Sequence, residues 1–460
     1  MTVPDGWRLQ PDVGTQCHDG GRVVIGGSPR RVLRLSNRGA DVAARLLDGH
    51  PVSGHADALL ARRLLDAGIA HPVPRSVAGP SMDVVVPVYD DPIGLESCLA
   101  ALGSDLPVIV VDDGSSDVER VAAVAARYGA RLIRQHHNAG PAAARNAGAR
   151  ACSADVIAFV DSDAVTTSST LRQLASHLDD PAVAAAAPRV RPRNAGRGLL
   201  GVVAAYWSPL DLGARPGPVT PTQRIAYVPS TVLVVGSKAF ADSGGFDESL
   251  RYGEDVDLVW RLAATGATVR YDPSLQVRHA EPQSWAPWLR RRFAYGTSAA
   301  TLTRRHGDSA APLVIAPAPA ASVLLAVGGA PSIAAVVAGV TAWRLRRRLR
   351  DAEVPTADAT RGALIAPLQA ALGAARWAEQ LWWPALLLAA RSRRRTPVLC
   401  VLLAPPLVEF VRRRPPVDPL RWTLAVWADD VAYGLGVWTG CLRERTLRPL
   451  LPRIKGRRRP

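Results

Sequence analysis

Four short stretches between Met82 and Asp163 carry apolar runs: MDVVVPVY, LPVIVVDDG (106–114) and DVIAFVDSD (155–163), each nearly continuous before its polar end, and the shorter, mixed ARLIRQ (130–135). Unbroken apolar runs of this length predict strands buried on both faces. Between them, GLESCLAAL, DVERVAAVAARYG and GPAAARNAGARACS read as helices. Strand and helix in regular alternation imply a parallel sheet covered on both sides. Ligands of such sheets bind beyond the carboxyl ends of the strands. Three of these strands end there in polar or acidic residues: Tyr89-Asp90-Asp91, Asp112-Asp113 and Asp161-Ser162-Asp163.

The pattern differs on either side of this block. In residues 1–75, VVIGG and RVLRL are short β-like runs joined by Ser28-Pro29, and two helical patterns follow, stopping at Gly49 and Gly68. Pro72, Pro74 and the GPS at 79–81 read as a linker. Beyond about residue 306 come long Ala-, Val- and Leu-rich blocks, and 309–343 carries no charged residue. That is more than the roughly 20 apolar residues one spanning helix needs, so a transmembrane helix is expected here, although prolines and glycines interrupt the block. The pattern favours hairpins, re-entrant or interfacial segments over single crossings, with a soluble Ala-rich helical domain as the alternative. Trp377, Trp382, Trp383, Trp422, Trp427 and Trp438 suit an interfacial belt. Three regions result: 1–75, 82–305 and 306–460.

Composition sharpens this division. The chain has 460 residues, 48% hydrophobic, which excludes a mainly disordered protein. Five cysteines without a CxxC pair argue against a zinc cluster or disulfide framework and suit a reducing compartment. No basic segment followed by an apolar core opens the sequence. The formal net charge is +16, most of it in the C-terminal third. There RLRRRLR (344–350), RSRRR (391–395), RRR (412–414) and KGRRR (455–459) alternate with apolar runs. That arrangement fits an anionic lipid surface better than nucleic acid, so no nucleic-acid partner is expected. The absence of a GxxxxGK[ST] loop excludes P-loop chemistry.

The candidate chemistry is acidic. Asp161 and Asp163, at i and i+2 past a strand, can turn into one crevice. Hard divalent cations such as Mg²⁺ or Mn²⁺ take one or two carboxylates together with substrate phosphates. In DDGSSD, Gly114 permits close backbone approach, although the segment is also an ordinary turn and helix cap. NAGP opens a helix whose N-terminal N–H groups favour anions, and Arg145 adds a cation able to fork to phosphate. GEDVD places Glu254, Asp255 and Asp257 just before an apolar run. They are either a solvated helix start or a general base with its neighbour.

Taken in order, VVVPVYD, VVDDGSSD, NAGPAAARNAG, FVDSD, GGFDE and GEDVDLVWR resemble the family 2 glycosyltransferases over roughly residues 82–300. The resemblance implies a GT-A (Rossmann-like) α/β core and inverting transfer of a sugar from a nucleotide diphosphate. It implies that Pro87 and Tyr89 lie near the base, that Asp112 and Asp113 lie beside base and ribose, and that Asp161 and Asp163 bind ribose and the metal–diphosphate. Asp255 becomes the catalytic base, with Glu254 holding the acceptor or tuning it, and Asp257 a helix-start residue. His279, on the strand after that helix, joins Asp163 as a metal ligand, and the metal is Mg²⁺ or Mn²⁺. Arg290–Arg292 are expected near the diphosphate. No QxxRW motif marks processive synthesis.

Residues 1–75 resemble winged-helix-like α+β modules that recognise peptides, with a structural cap as the alternative. With the core and the basic hydrophobic C-terminal helical region, the whole is most similar to the glycosyltransferases of the mycofactocin system. The implied reaction moves a hexose, glucose in β linkage, from UDP-glucose to a peptide-derived redox cofactor. The expected location is the cell membrane, with the active site on the cytoplasmic side. Two rivals stay open: a lipid or polyprenyl-phosphate acceptor, and a peptide-binding scaffold with an inactive core.

Overall fold

All four apolar runs are strands: β1 (Met82–Val88), β2 (Val108–Asp112), β3 (Arg131–Arg134) and β4 (Val156–Val160). They are parallel and lie side by side in the order β4-β1-β2-β3. The intervening helices are α1 (Pro92–Leu102), α2 (Val118–Arg127) and α3 (Pro141–Arg150). Asp91 and Asp117 cap α1 and α2, their carboxylates accepting from Gly94 N and Arg120 N. Helix α3 crosses β1 closely because position 148 is glycine. A Cβ there would collide with the side chain of Val85.

The sheet extends beyond these strands. In the computed structural model, which describes residues 2–73, 80–193, 198–221, 223–351, 356–391 and 395–456, five further strands complete it. They are β5 (Ala164–Val165), β6 (Val183–Pro192), β7 (Gly217–Pro218), β8 (Val232–Gly236) and β9 (Thr268–His279). The spatial order is β5-β9-β6-β8-β4-β1-β2-β3, with β7 beside β9. β8 runs antiparallel to both β4 and β6, so the sheet is mixed where the sequence implied a parallel one. The run around β6 is alanine-rich, and alanine has little strand preference of its own. Pairing on both sides makes it a strand. Helix α4 (Glu254–Ala264) precedes β9. The linker expected around 74–79 and parts of the basic clusters at 391–395 and 455–459 fall outside the described residues.

By its internal contacts the chain divides into two units: Met1–Asn194 with Ser208–Glu281, and Ala195–Trp207 with Pro282–Pro460. Within the first, residues 2–73 carry a core of their own around Trp7, Leu9, Leu46, Leu64 and Ile69. The two β-like runs are strands Val23–Gly26 and Arg31–Arg34, joined by Gln16–His18 in a three-stranded antiparallel sheet. The helices are Asn37–Leu47, capped by Ser36, and Gly54–Asp66. A strand pair missing from the sequence reading, Arg8–Pro11 with Ala70–Val73, closes the module. Arg62 on its second helix pairs with the fully buried Asp180 beside β6 at 2.5 Å.

The second unit is helical: α5 (Trp285–His306), α6 (Pro317–Val327), α7 (Pro331–Asp351), α8 (Thr356–Leu381), α9 (Arg395–Arg413) and α10 (Pro419–Arg443). Gly296 on α5 and Gly436 and Gly440 on α10 let these two helices meet backbone to backbone. The charge-free block folds as two helices, α6 and α7, separated at Gly328–Ala330. Among the described residues no helix is long and apolar enough to cross a membrane, which corrects the expectation of a transmembrane helix. Pro367 lies inside α8, Pro405 and Pro406 lie inside α9, and α10 carries Asp429 and Asp430 at its middle. Five of the six tryptophans expected as an interfacial belt bond backbone carbonyls through their indole N–H. Trp377 and Trp382 donate to Leu450 O, Trp422 to Pro406 O, Trp427 to Leu402 O and Trp438 to Leu381 O.

Candidate active site

The strand ends of β1, β2 and β4 hold their acidic tips together, and each tip has a different task. Asp112 has no exposed surface. Its carboxylate accepts from Ser115 N at 2.9 Å and from Arg134 at 3.1 Å. Bonded in this way, it shapes the turn that carries Asp113. Asp113, 3% exposed, accepts from Ala139 N and Gly140 N at 2.8 and 2.9 Å. This pins the NAGP loop ahead of α3 and leaves each oxygen one lone pair. Burial holds its carboxyl above the usual range. The two loops can touch because Gly114 has φ +79°, and a Cβ there would stand 2.7 Å from the His137 carbonyl carbon.

Above this floor Tyr89 is 51% exposed, with Pro87 half-buried two residues before it. Asp90 N donates to Ser115 Oγ, and the Asp90 carboxylate accepts from Ser116 N, fixing the β1 loop to the β2 loop. An exposed ring held on such a base is a stacking platform for a planar group.

Arg145 lies at the centre. It is 4% exposed, donating to Asp161 at 2.6 Å and to Glu254 at 3.0 Å, with its guanidinium over the Phe246 ring. Burial opposes its charge, but the Asp161 and Glu254 carboxylates outweigh burial and keep it firmly protonated. Expected as a fork for phosphate, Arg145 instead brackets two carboxylates from opposite sides of the crevice. The neighbouring Asn146 holds the GGFDE turn, donating to Phe246 O and accepting from Phe246 N. Sequence reasoning missed that role. Its signal is an Arg-Asn pair set among alanines and glycine in the middle of the helix.

Helix α4 begins after Gly253, in the left-handed conformation at φ +80°, and presents Glu254, Asp255 and Asp257 in its first turn. Asp257 is 1% exposed and pairs with Arg261 one turn on, a helix-start role. Glu254 is 7% exposed; burial and then the Asp255 charge push its carboxyl up to about 7. Asp255 is half-buried, accepts from Ser230 N at 3.4 Å, and is also raised, mainly by burial. Burial overrides the helix N-terminus, which favours the ionised forms.

Asp163 and His279 meet because β5 pairs with the end of β9, setting Ala164 opposite His279. His279 Nε2 lies 3.2 Å from Asp163 Oδ2, and the Asp163 side chain is 36% exposed while His279 is buried. Neighbouring ligands of an octahedral Mg²⁺, with bonds of about 2.0–2.1 Å, stand about 3 Å apart. The pair therefore fits two adjacent positions on one cation, with an open side for phosphate and water. Among the described residues no three His, Cys, Asp or Glu side chains form a complete cage. Arg292, expected near a diphosphate, is buried in the second unit and bonded to Asp429.

This sheet, with its acidic strand ends, the Asp163–His279 pair and the Glu254–Asp255 carboxylates, is that of a glycosyltransferase, and the chain belongs to glycosyl transferase family 2. The model of that family matches residues 83–223, and that of glycosyl transferase family group 2 matches 156–345. The chain is 41% identical to a pre-mycofactocin glycosyltransferase of Mycobacterium tuberculosis over 98% of its own length and 99% of that relative. An N-acetylglucosaminyltransferase of Bradyrhizobium elkanii is 38% identical over 23% of this chain and 64% of its own. Among solved structures, a mannosyltransferase of Pyrobaculum calidifontis in complex with GDP-Man and Mn²⁺ aligns with TM-score 0.46 and 20% identity, covering 80% of this chain and 89% of that one.

Proposed function

We propose that this enzyme transfers a hexose, glucose in β linkage, from UDP-glucose to the peptide-derived redox cofactor precursor pre-mycofactocin, inverting the anomeric centre. The observation that carries the acceptor is the 41% identity to a pre-mycofactocin glycosyltransferase along the whole chain. The base and ribose of the donor lie over Tyr89 and Pro87, above the Asp113-pinned loop. Asp163 and His279 hold a divalent cation, Mg²⁺ or Mn²⁺; when bound it supplies neutralisation of the leaving diphosphate. Asp255 takes the proton of the acceptor hydroxyl as the bond from that oxygen to the anomeric carbon forms. The bond from that carbon to the diphosphate oxygen breaks, and the nucleoside diphosphate keeps the electron pair. A carboxyl raised by burial suits this work near neutrality. Arg145 holds Asp161 and Glu254 still on either side.

Residues 1–75 serve as the peptide-recognition module. A cleft of about 550 Å³ lined by Asp5, Arg8, Pro51, Val52, Ser53 and Val73 supports this reading. The second unit rests on the cytoplasmic face of the cell membrane without spanning it. Its exposed Trp343, Leu364, Leu368, Leu388 and Val411, with basic residues close by in sequence, support an anionic lipid surface. The same side chains favour a second reading, a polyprenyl-phosphate acceptor.

One assay tests both. Purified enzyme is incubated with UDP-glucose and Mn²⁺ or Mg²⁺, with the peptide-derived acceptor or with polyprenyl phosphate, and products are weighed by mass spectrometry. A hexose gain on the peptide-derived acceptor, lost with chelator and recovered with cation, is the expected result. A gain only on polyprenyl phosphate overturns the acceptor; an α-linked product by NMR overturns inversion.

A further inference from the structure

We infer that Arg251 is a donor-binding residue that ties the carboxylate-bearing helix to the bound nucleoside diphosphate. This rests on the donor class proposed above.

An accessible guanidinium near the nucleotide makes charge-assisted contacts to its phosphates, beside the neutralisation that a cation supplies. Arg145 does not supply those contacts, since both its terminal nitrogens are committed to Asp161 and Glu254. Arg251 stands at the other side of the crevice mouth and is exposed. Its Nη2 donates to Asn138 Oδ1 at 2.9 Å. Its Nη1 lies 3.9 Å from the point where a Cβ on Gly140 would stand. Its charge acts on both the Asp113 carboxylate and the Tyr89 phenol. The guanidinium therefore sits over the pinned NAGP loop and beside the stacking platform, where the nucleotide end of a donor lies.

The position of Arg251 along the chain adds a second consequence. It is three residues before Glu254 and four before Asp255, in the link that leads through Gly253 into α4. A donor gripped by Arg251 holds that link, and with it the start of the helix bearing both carboxylates. Donor occupancy and placement of the base are thus coupled through one hexapeptide, Leu250–Asp255.

The test titrates UDP, with Mn²⁺ present, into the full-length wild type, Arg251→Ala, Arg251→Lys and Asn138→Ala, alongside initial rates at varied donor. Arg251→Ala should weaken UDP binding and raise the donor KM about tenfold, the loss of one charge-assisted contact, while kcat at saturating donor falls far less. Arg251→Lys should recover part of the UDP affinity, and Asn138→Ala should cost less than Arg251→Ala. Equal UDP affinity in wild type and Arg251→Ala overturns the inference and leaves the donor class standing. A wild type that binds neither UDP nor GDP overturns the donor class itself, and this inference with it.

Discussion

The two units place charge and grease in opposite ways. In the first, apolar side chains fill the sheet's two faces, and one group of buried charges (Arg145, Asp113, Glu254) gathers where the strands end. In the second, charges lie inside: Asp429, with no exposed surface, takes Arg292 and Trp288 at 2.7 and 2.8 Å, and Asp430 takes Arg376 at 3.1 Å. Large apolar side chains stand outside, with Leu364, Leu368 and Val411 more than 60% exposed. A charge is tolerated in an interior only when it is paired, so both arrangements are costly to break. The first builds a place for chemistry. The second binds helices to one another and turns a greasy exterior toward whatever surrounds it.

The largest effect expected on this contrast comes from Asp255→Asn. Removing a general base should lower kcat by about 10²–10⁴-fold, with UDP binding unchanged in calorimetry. Near-normal turnover would move the base to another residue. Next is Arg145→Met, which leaves the buried Glu254 and the half-buried Asp161 without their counter-ion. Urea unfolding should show a loss of about 3 kcal/mol. An unchanged midpoint would mean that the bracket is not structural. A smaller effect is expected in the second unit. Leu364→Ser with Leu368→Ser should reduce partition onto anionic vesicles about tenfold while leaving turnover of a soluble acceptor intact. Vesicle binding that ignores both this change and added salt would remove the lipid surface from the proposal.

The smallest is a pH effect. Glu254 and Asp255 are raised above ordinary carboxyl values, so their ionised forms are disfavoured in the fold. At Glu254 the native state holds extra protons between about pH 4.5 and about 7, so its contribution to stability falls as pH rises through that window. Activity needs Asp255 ionised and should rise along an acid limb displaced toward neutrality. Glu254→Gln removes a neighbouring negative charge, eases ionisation of Asp255 and should move that limb to lower pH. A limb that stays in place would uncouple the pair.

Local pattern accounted for the first half of the sheet. The runs before Tyr89, Asp112 and Asp161 are apolar at nearly every position and sit where the structure places strands. The second half depended on distant partners: β6 is alanine-rich, and β8 inserts antiparallel between β4 and β6. Within the site, residue type was legible and role was not. Asp112 and Asp113 are neighbours of one type, yet one is fully buried structure and the other pins a loop. Arg145 reads as an anion fork and is a bracket. Arg251 carries no motif of its own and is drawn to the crevice by the loop that holds it.

The sequence by itself determined which segments bury on both faces, where carboxylates gather at strand ends, and where basic residues alternate with apolar blocks, because these follow from spacing along the chain. Only the tertiary structure decided which carboxylate is ionised, which is paired and which opens to a substrate. Those properties depend on burial and on charges brought from more than a hundred residues away, as Arg145 and Glu254 are brought together.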